Sequence, residues 1–223
     1  MGVDLAGSPT RRTGYCRLTN GLRTVTAVLG EDRELMGRLA ADRPDLVVID
    51  APLSLPFGRL SLDRPGPPHL RACDRELLRR RIRFFPLTLG PMRMLTARGM
   101  GLRRRIEAAG LPVLEGYPGA TQDVMGWPRK GRGVRALHAA LRAFGFTGDV
   151  AARSALTHDE LDAVACAWAG WAWLGGQGEL IGDPQEGQMV LPLPSAAALH
   201  PTRPGRPRPP SRGRPAREPG AGS

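Results

Sequence analysis

The sequence has few cysteines and almost no lysine. Its three cysteines, Cys16, Cys73 and Cys166, lie far apart and form no CxxC pair. This argues against a zinc site and is typical of a protein of the reducing cytoplasm, where we expect this chain to be located. Lys130 is the only lysine among 32 basic residues. Because so strong an arginine bias is typical of GC-rich coding, the net charge of +11 indicates a nucleic-acid partner only weakly.

Long apolar runs are also missing. The most apolar stretch, residues 163–174, has 12 residues, whereas a membrane-spanning helix needs about 20. The opening residues, MGVDLAGS, contain no basic segment followed by an apolar run, so they do not predict a signal peptide. We therefore expect no membrane partner and interpret residues 163–174 as a buried helix.

The C-terminal segment has little apolar character. Residues 195–223 consist mainly of Pro, Arg, Gly, Ala and Ser, with six arginines against Glu218. A segment with so few apolar anchors does not offset its own ordering entropy. We predict one domain over residues 1–194 and a disordered Pro/Arg/Gly-rich tail over residues 195–223, for which loose contact with anionic surfaces is the alternative role.

The first quarter of the chain predicts a mixed α/β sheet. Three β-rich runs within residues 2–30, with a turn at Asn20-Gly21, indicate three short antiparallel strands. Apolar positions spaced at helical intervals predict a helix over residues 31–42. The run DLVVIDAP then predicts a buried fourth strand, which reaches the sheet through a crossover and is therefore parallel to its neighbour.

The remaining elements are mostly helical. Residues 53–69 are rich in Pro and Gly and predict a loop. A further short strand, LPVLEGYPG, ends in a carboxylate, and GELIGDPQEGQMVLP is interpreted as a loop or small hairpin. Helices are predicted near residues 70–82, 92–109, 118–125 and 133–145, followed by one that opens at residue 157.

Four carboxylates occupy comparable positions in these elements. Asp4 lies in the first strand, Asp50 ends the fourth, Glu115 ends the fifth, and Asp162 lies on the last long helix. One such acid is usually a helix cap or a partner of arginine. Several at one sheet region repel each other unless a cation lies between them. Oxygen ligands suit Mg²⁺ or Mn²⁺, and two such ions about 4 Å apart can support phosphodiester cleavage.

The last helix opens with a charged segment, LTHDELDAVACAW, at residues 156–168. Thr157 and Glu160 form a capping-box pattern, and Asp159 in the first turn favours the helix dipole. Helix initiation therefore explains Thr157 and Glu160 fully and Asp159 in part.

Asp162 is not explained by helix initiation, because it lies beyond the first turn in a segment that is being buried. We therefore assign it a functional role. His158 and Asp159 lie on the same helix face, four and three residues before Asp162, and their role remains divided between helix start and functional site.

Six ordered motifs resemble a known family. GVDLAGS…TG, VIDAPLSLP, R-x-CDRELLRRRIRFFP, LTARG, LEGYPGA and HDELDAVACAWAG…IGDPQEG are together similar to the DUF429 family, described as predicted nucleases of the RNase H-like fold. The resemblance covers about residues 2–194. It implies an RNase H-like mixed sheet, with three antiparallel strands and then parallel strands through helical crossovers, flanked by helices.

The resemblance also implies roles for the acids. RNase H-like enzymes carry an acid in the first strand, one at the end of the fourth strand and acids on the last helix. These roles fall on Asp4, Asp50 and Asp162, with His158 or Asp159 as a helper.

Other motif positions are implied to support the site. Glu115 matches the family's strand-ending E-x-YP motif and is implied as a fourth metal ligand. Arg71 and Asp74 match an inserted motif of the family, where they either hold substrate phosphate or form a structural ion pair. Ser8 lies in DLAGS…TG, which also resembles a phosphate loop whose backbone N–H groups would meet substrate.

Three functions follow as hypotheses. The first is a metal-dependent nuclease that hydrolyses phosphodiester bonds of DNA or RNA with Mg²⁺ or Mn²⁺. The second is a nucleotide-binding phosphotransferase of the actin-like type, although the chain has room for one such domain and no second DxG strand. The third is a binding protein that kept the fold and lost the chemistry. A junction-cutting enzyme is expected to be a homodimer, and the sequence leaves the oligomeric state open.

Overall fold

The computed structural model describes residues 1–8, 10–129, 131 and 133–198. This part of the chain forms one eight-stranded sheet. Its strands are β1 (Gly2–Asp4), β2 (Thr13–Thr19), β3 (Arg23–Leu29), β4 (Val47–Asp50), β5 (Val113–Gly116), β6 (Thr147–Gly148), β7 (Gly178–Asp183) and β8 (Gly187–Pro192).

Seven α-helices accompany the sheet in the described residues. They are α1 (Asp32–Asp42), α2 (Ala72–Arg79), α3 (Gly90–Ala108), α4 (Pro118–Met125), α5 (Val134–Phe144), α6 (Asp149–Ala152) and α7 (His158–Leu174). None of these helices is long and apolar enough to cross a membrane.

The strand order is β6-β3-β2-β1-β4-β5-β8-β7. Strands β1, β2 and β3 are antiparallel neighbours. Strand β4 is parallel to β1, β5 is parallel to β4, and β8 is parallel to β5. The predicted mixed sheet, with three antiparallel strands followed by parallel strands through helical crossovers, is therefore confirmed.

Several short elements differ from the prediction. The segment interpreted as a loop or small hairpin is a hairpin of β7 and β8, as the second alternative predicted, but β8 also joins the main sheet through the pair Glu115 and Met189. The two-residue strand β6 and the single-turn helix α6 were not predicted, because neither is long enough to show a period. Residues 194–198 form a 3₁₀ turn in which Ala196 is buried, so ordered structure extends past residue 194. The rest of the predicted tail lies outside the described residues.

Alternation along the strands gives the sheet two apolar faces. Val3 and Ile49 belong to one core cluster with Leu35 of α1 and Leu102 of α3. Val48 points to the opposite face and belongs to a cluster with Cys166 and Ala169 of α7. Because successive side chains of a strand point to opposite faces, even-numbered residues of β1 and β4 face α7.

Helix α7 lies unusually close to the sheet. A Cβ atom on Gly2 would lie 2.0 Å from the carbonyl oxygen of Ala163, and one on Gly14 would lie 2.0 Å from that of Asp159. Both distances are far inside van der Waals contact, so the helix backbone passes where any larger residue would place its side chain. Glycine at these two strand positions therefore sets the height of α7 above β1 and β2.

We expect Gly14→Ala to destabilise the fold. The added methyl group must displace the backbone of α7, and overpacking of this kind costs about 1–3 kcal/mol, or about 2–4 °C in melting temperature per kcal/mol for a domain of this size. Thermal unfolding followed by circular dichroism measures the change.

Gly37→Ala is the matched control for this substitution. Gly37 is an exposed position in α1 where an added Cβ meets no atom within 4 Å. Alanine there is expected to be neutral or to stabilise by up to about 1 kcal/mol. An unchanged melting temperature for Gly14→Ala would contradict the close approach of α7.

Candidate metal centre

Three acidic side chains meet where β1 and β4 end. Asp4 and Asp50 are register partners in these parallel strands, so both point to the face that α7 covers. Asp162 comes from the second turn of α7. The ligand atoms of Asp4, Asp162 and His158 lie within 4.8 Å of one another. Atoms bound at 2.0–2.6 Å on opposite sides of one ion are about 4–5 Å apart, so these three fit around a single cation.

His158 lies against Asp162 on the same face of α7. Its Nδ1 lies 3.0 Å from Oδ2 of Asp162, one helical turn away. Both ring nitrogens are buried, and neither has a hydrogen-bond partner among the described residues. Buried polar atoms normally have such partners. The Nδ1 of His158 and Oδ2 of Asp162 form a close pair, and both atoms are near enough to bind one cation together.

Gln122 fixes the orientation of Asp162. From α4, its Nε2 donates a 2.8 Å hydrogen bond to Oδ1 of Asp162. This leaves Oδ2 directed toward His158. The sequence analysis missed Gln122. Its signal was a single amide in the short helix PGATQDVM, most of whose residues are buried. Mutation of a group that orients a metal ligand in this way typically lowers metal affinity about 10- to 100-fold.

Asp50 lies next to the three-residue group of Asp4, His158 and Asp162, and the repulsion among the acids of the site acts on its carboxyl group. Burial raises the pKa of Asp50 well above its ordinary value, and the negative charges of Asp4, Asp162 and Glu115 raise it further. A hydrogen bond to Asp4 acts in the same direction. A proton held by Asp50 thus relieves the repulsion among these acids. A bound divalent cation would relieve the same repulsion and would displace that proton.

The structure does not bring Glu115 into this group. Glu115 is the register partner of Ile49, not of Asp50, so its side chain points to the face opposite α7. There its two oxygens accept hydrogen bonds of 2.6 and 2.7 Å from Arg71, and Oε2 also accepts one of 2.8 Å from the backbone N–H of Leu53. Glu115, predicted as a fourth metal ligand, is therefore engaged by an arginine instead.

The sequence left two roles open for Arg71 and Asp74, binding of a substrate phosphate or a structural ion pair. In the structure they form the ion pair. Asp74 accepts hydrogen bonds from Nε and Nη2 of Arg71, at 3.1 and 2.9 Å. The remaining donors reach Glu115 and the hydroxyl of Ser54, so each N–H of the guanidinium has a protein acceptor. Arg71 is also buried. No donor of Arg71 is left to hold a substrate phosphate.

Ser8 lies in the loop that follows Asp4, outside the three-residue group. Its hydroxyl is 2.8 Å from that of Thr10, and its carbonyl accepts a 3.0 Å hydrogen bond from Arg98. Arg98, from the LTARG motif on α3, also donates to the carbonyl of Ala6 and forms a salt bridge with Asp32. The sequence analysis did not find this role of Arg98, which is to hold the loop after Asp4 in place.

The start of α7 contains the predicted helix cap. Thr157 Oγ1 accepts a 3.2 Å hydrogen bond from the backbone N–H of Glu160, and Glu160 accepts one of 2.8 Å from that of Thr157. Glu160 also binds the Thr26 hydroxyl and Arg153, which ties α7 to β3 and α6. Asp159 is half-buried in the first turn and is not part of the three-residue group.

We expect Asp50→Asn to stabilise the metal-free protein at pH 8. In the folded state Asp50 keeps its proton to a higher pH than in the unfolded chain, so its contribution to stability is complete below the ordinary pKa of 3.8 and is lost as the pH rises. The asparagine variant has no such loss. Its melting temperature should exceed that of the wild type by about 2 °C or more at pH 8, and the difference should narrow toward pH 4.

The control is Asp45→Asn, at an exposed position just before β4. A substitution there is expected to change stability by no more than about 0.5 kcal/mol at either pH. A wild type that is as stable as Asp50→Asn at pH 8 would mean that Asp50 is not strained by its neighbours.

A second prediction separates the ion pair from the metal centre. Glu115→Gln leaves the buried guanidinium of Arg71 with less compensating charge, so it should lower stability by about 3–5 kcal/mol. It should change the affinity for Mn²⁺ only slightly, because Glu115 lies on the other face of the sheet and reaches the site only through its charge. Urea unfolding measures the first effect and titration calorimetry with Mn²⁺ the second. A stable variant with weakened Mn²⁺ binding would restore Glu115 as a ligand.

The comparisons with known proteins give one result. The family model described as a protein of unknown function, DUF429, matches residues 2–187. No curated protein and no solved structure matches the chain. The match spans most of the sequence and includes β1, β4 and α7, which carry the acidic residues. The chain therefore belongs to the DUF429 family.

Proposed function

We propose that this protein is a metal-dependent nuclease that hydrolyses phosphodiester bonds in DNA or RNA. The observation that carries the proposal is the convergence of Asp4, Asp162 and His158 on the α7 face of the sheet, with Asp50 beside them. A set of two carboxylates and one buried imidazole is suited to a divalent cation. When bound, such an ion activates water and neutralises charge on a phosphoryl group.

The donor set also bears on which ion would bind. Mg²⁺ prefers ligands that are all oxygen, whereas an imidazole nitrogen is a better ligand for transition metals. We therefore propose Mn²⁺ as the better fit to His158 and Mg²⁺ as the weaker one. Gln122 would keep Asp162 in its coordinating orientation through the 2.8 Å hydrogen bond to Oδ1.

Asp50 would serve as the proton acceptor in the reaction. Burial and the neighbouring acids raise its pKa, and with its proton displaced by a bound cation the carboxylate would accept a proton from an attacking water. Its register partner Asp4 holds the adjacent position on β1, so the proton would be taken up beside the ion. The net charge of +11 adds weak support for a polyanionic substrate.

Purified protein with Mn²⁺ is expected to cleave short nucleic acids, and Asp4→Asn or Asp162→Asn should reduce the rate on the order of 100-fold or more, because each removes a ligand. Cleavage of dye-labelled single- and double-stranded DNA and RNA measures the rate. The same two variants should lose the rise in melting temperature that Mn²⁺ gives the wild type.

Asp159→Asn is the matched control, because Asp159 lies on the same turn of α7 as His158 but outside the group of Asp4, His158 and Asp162. It should keep both cleavage and the Mn²⁺-induced rise in melting temperature. Equal cleavage by Asp4→Asn would indicate a contaminating nuclease or a different site. Heat released with ATP and Mg²⁺, without any cleavage, would support the phosphotransferase hypothesis instead.

A further inference from the structure

A cavity of about 250 Å³ opens beside the acidic residues. Asp50 belongs to its wall, and the wall continues along the ends of β4 and β5 through Pro52 and Gly116. Asp50, at the end of β4, therefore borders the cavity and also lies beside the candidate metal centre. A molecule with a phosphate at the metal centre would have its neighbouring group at the mouth of this cavity.

The wall of the cavity is mainly apolar. Five apolar side chains of the wall come from the segment between α2 and α3 and from α3 itself, namely Phe84, Phe85, Leu87, Met92 and Leu95. Phe85 is 72% exposed. A large aromatic side chain that lies in solvent at the edge of an apolar cavity is typical of a ligand-binding surface.

The polar side chains of the wall are engaged with other protein groups. Arg71 directs its donors to Glu115, Asp74 and Ser54. The Tyr117 hydroxyl donates to the carbonyl of Arg83 and accepts from Arg129. These groups are therefore not available to read the hydrogen-bonding edge of a ligand. The cavity would select its occupant by shape and apolar contact.

We propose that the cavity receives one unpaired nucleobase, stacked on Phe85, while the adjoining phosphate lies at the metal centre. This assignment rests on the proposed nuclease function. The volume lies below the range of about 300–1,000 Å³ typical of sites for drug-sized ligands, so it suits one ring system and not a base pair. Every base has an apolar face that stacks on an aromatic ring.

Two properties of the substrate follow. A base within a duplex is held in its stack and must be extruded before it enters a cavity, which costs free energy. The preferred substrate is therefore a single strand or an unpaired end. Because the wall is mainly apolar and the donors of Arg71 and Tyr117 are engaged with protein groups, we expect only a small preference among the four bases.

The test compares two oligonucleotides of the same length in Mn²⁺, one with normal bases and one made only of base-free sugar–phosphate units. Dissociation constants come from fluorescence anisotropy recorded before measurable cleavage. The wild type should bind the normal single strand on the order of ten-fold more tightly than the base-free strand, and more tightly than a duplex. Phe85→Ala should bind the two strands with equal affinity, and Phe85→Tyr should keep the ten-fold preference for the strand with bases.

Phe57→Ala is the matched control. Phe57 is 77% exposed, close to Phe85 in exposure, and does not line this cavity. The variant should keep the ten-fold ratio. Both phenylalanines are exposed, so neither substitution should lower the melting temperature measurably.

The possible outcomes separate the cavity from the nuclease function. Equal binding of the two strands by a wild type that still binds Mn²⁺ and cleaves would overturn the base site alone. Failure to bind Mn²⁺ or to cleave, with the ten-fold ratio intact, would overturn the nuclease function and leave the base site. Binding of the apolar dye anilinonaphthalene sulfonate at Phe85 that a single strand does not displace would indicate another apolar occupant and overturn the base site.

Discussion

The close packing of α7 on β1 and β2 determines where the acidic group forms. Gly2 and Gly14 let the helix backbone approach the sheet at a distance that any side chain would prevent. Asp162 and His158, in the first two turns of that helix, are thereby brought to the end of β1, where Asp4 lies. Neither the capping box nor the strands alone would place these three side chains within reach of one ion. The site therefore depends on the absence of two side chains from the sheet.

Because side chains alternate along a strand, the acids at this edge of the sheet lie on two different faces and have different neighbours. On the α7 face, Asp4, Asp50 and Asp162 lie close together, and burial and the neighbouring negative charges raise the pKa of Asp50 well above its ordinary value. On the other face, Glu115 shares Arg71 with Asp74, and the three groups are buried together. One set is compensated within the protein. The other is a set of acids that repel one another and that a bound cation would stabilise, and this contrast supports a metal site on the α7 face.

Local sequence patterns were enough to predict most of the elements and part of the site. Period-two and period-3.6 patterns located the first five strands and the longer helices, and the capping box of Thr157 and Glu160 is present as predicted. Strand register was beyond reach, because the sequence does not tell whether Glu115 pairs with Ile49 or with Asp50, and that one-residue difference moves its side chain to the other face. Gln122 and Arg98 were missed for a related reason: their partners are 40 residues or more away in the chain.

Arg98 has a consequence for how the site meets its ligands. By binding the carbonyls of Ala6 and Ser8 together with Asp32, it orders the loop after Asp4 during folding. Gln122 orders Asp162 in the same way from the other side. The conformational entropy of these groups is lost before any ligand arrives, so association does not have to supply it. An ion or a phosphate would therefore meet a preorganised site, whose affinity reflects its charges and ligand geometry with little reduction for ordering the chain.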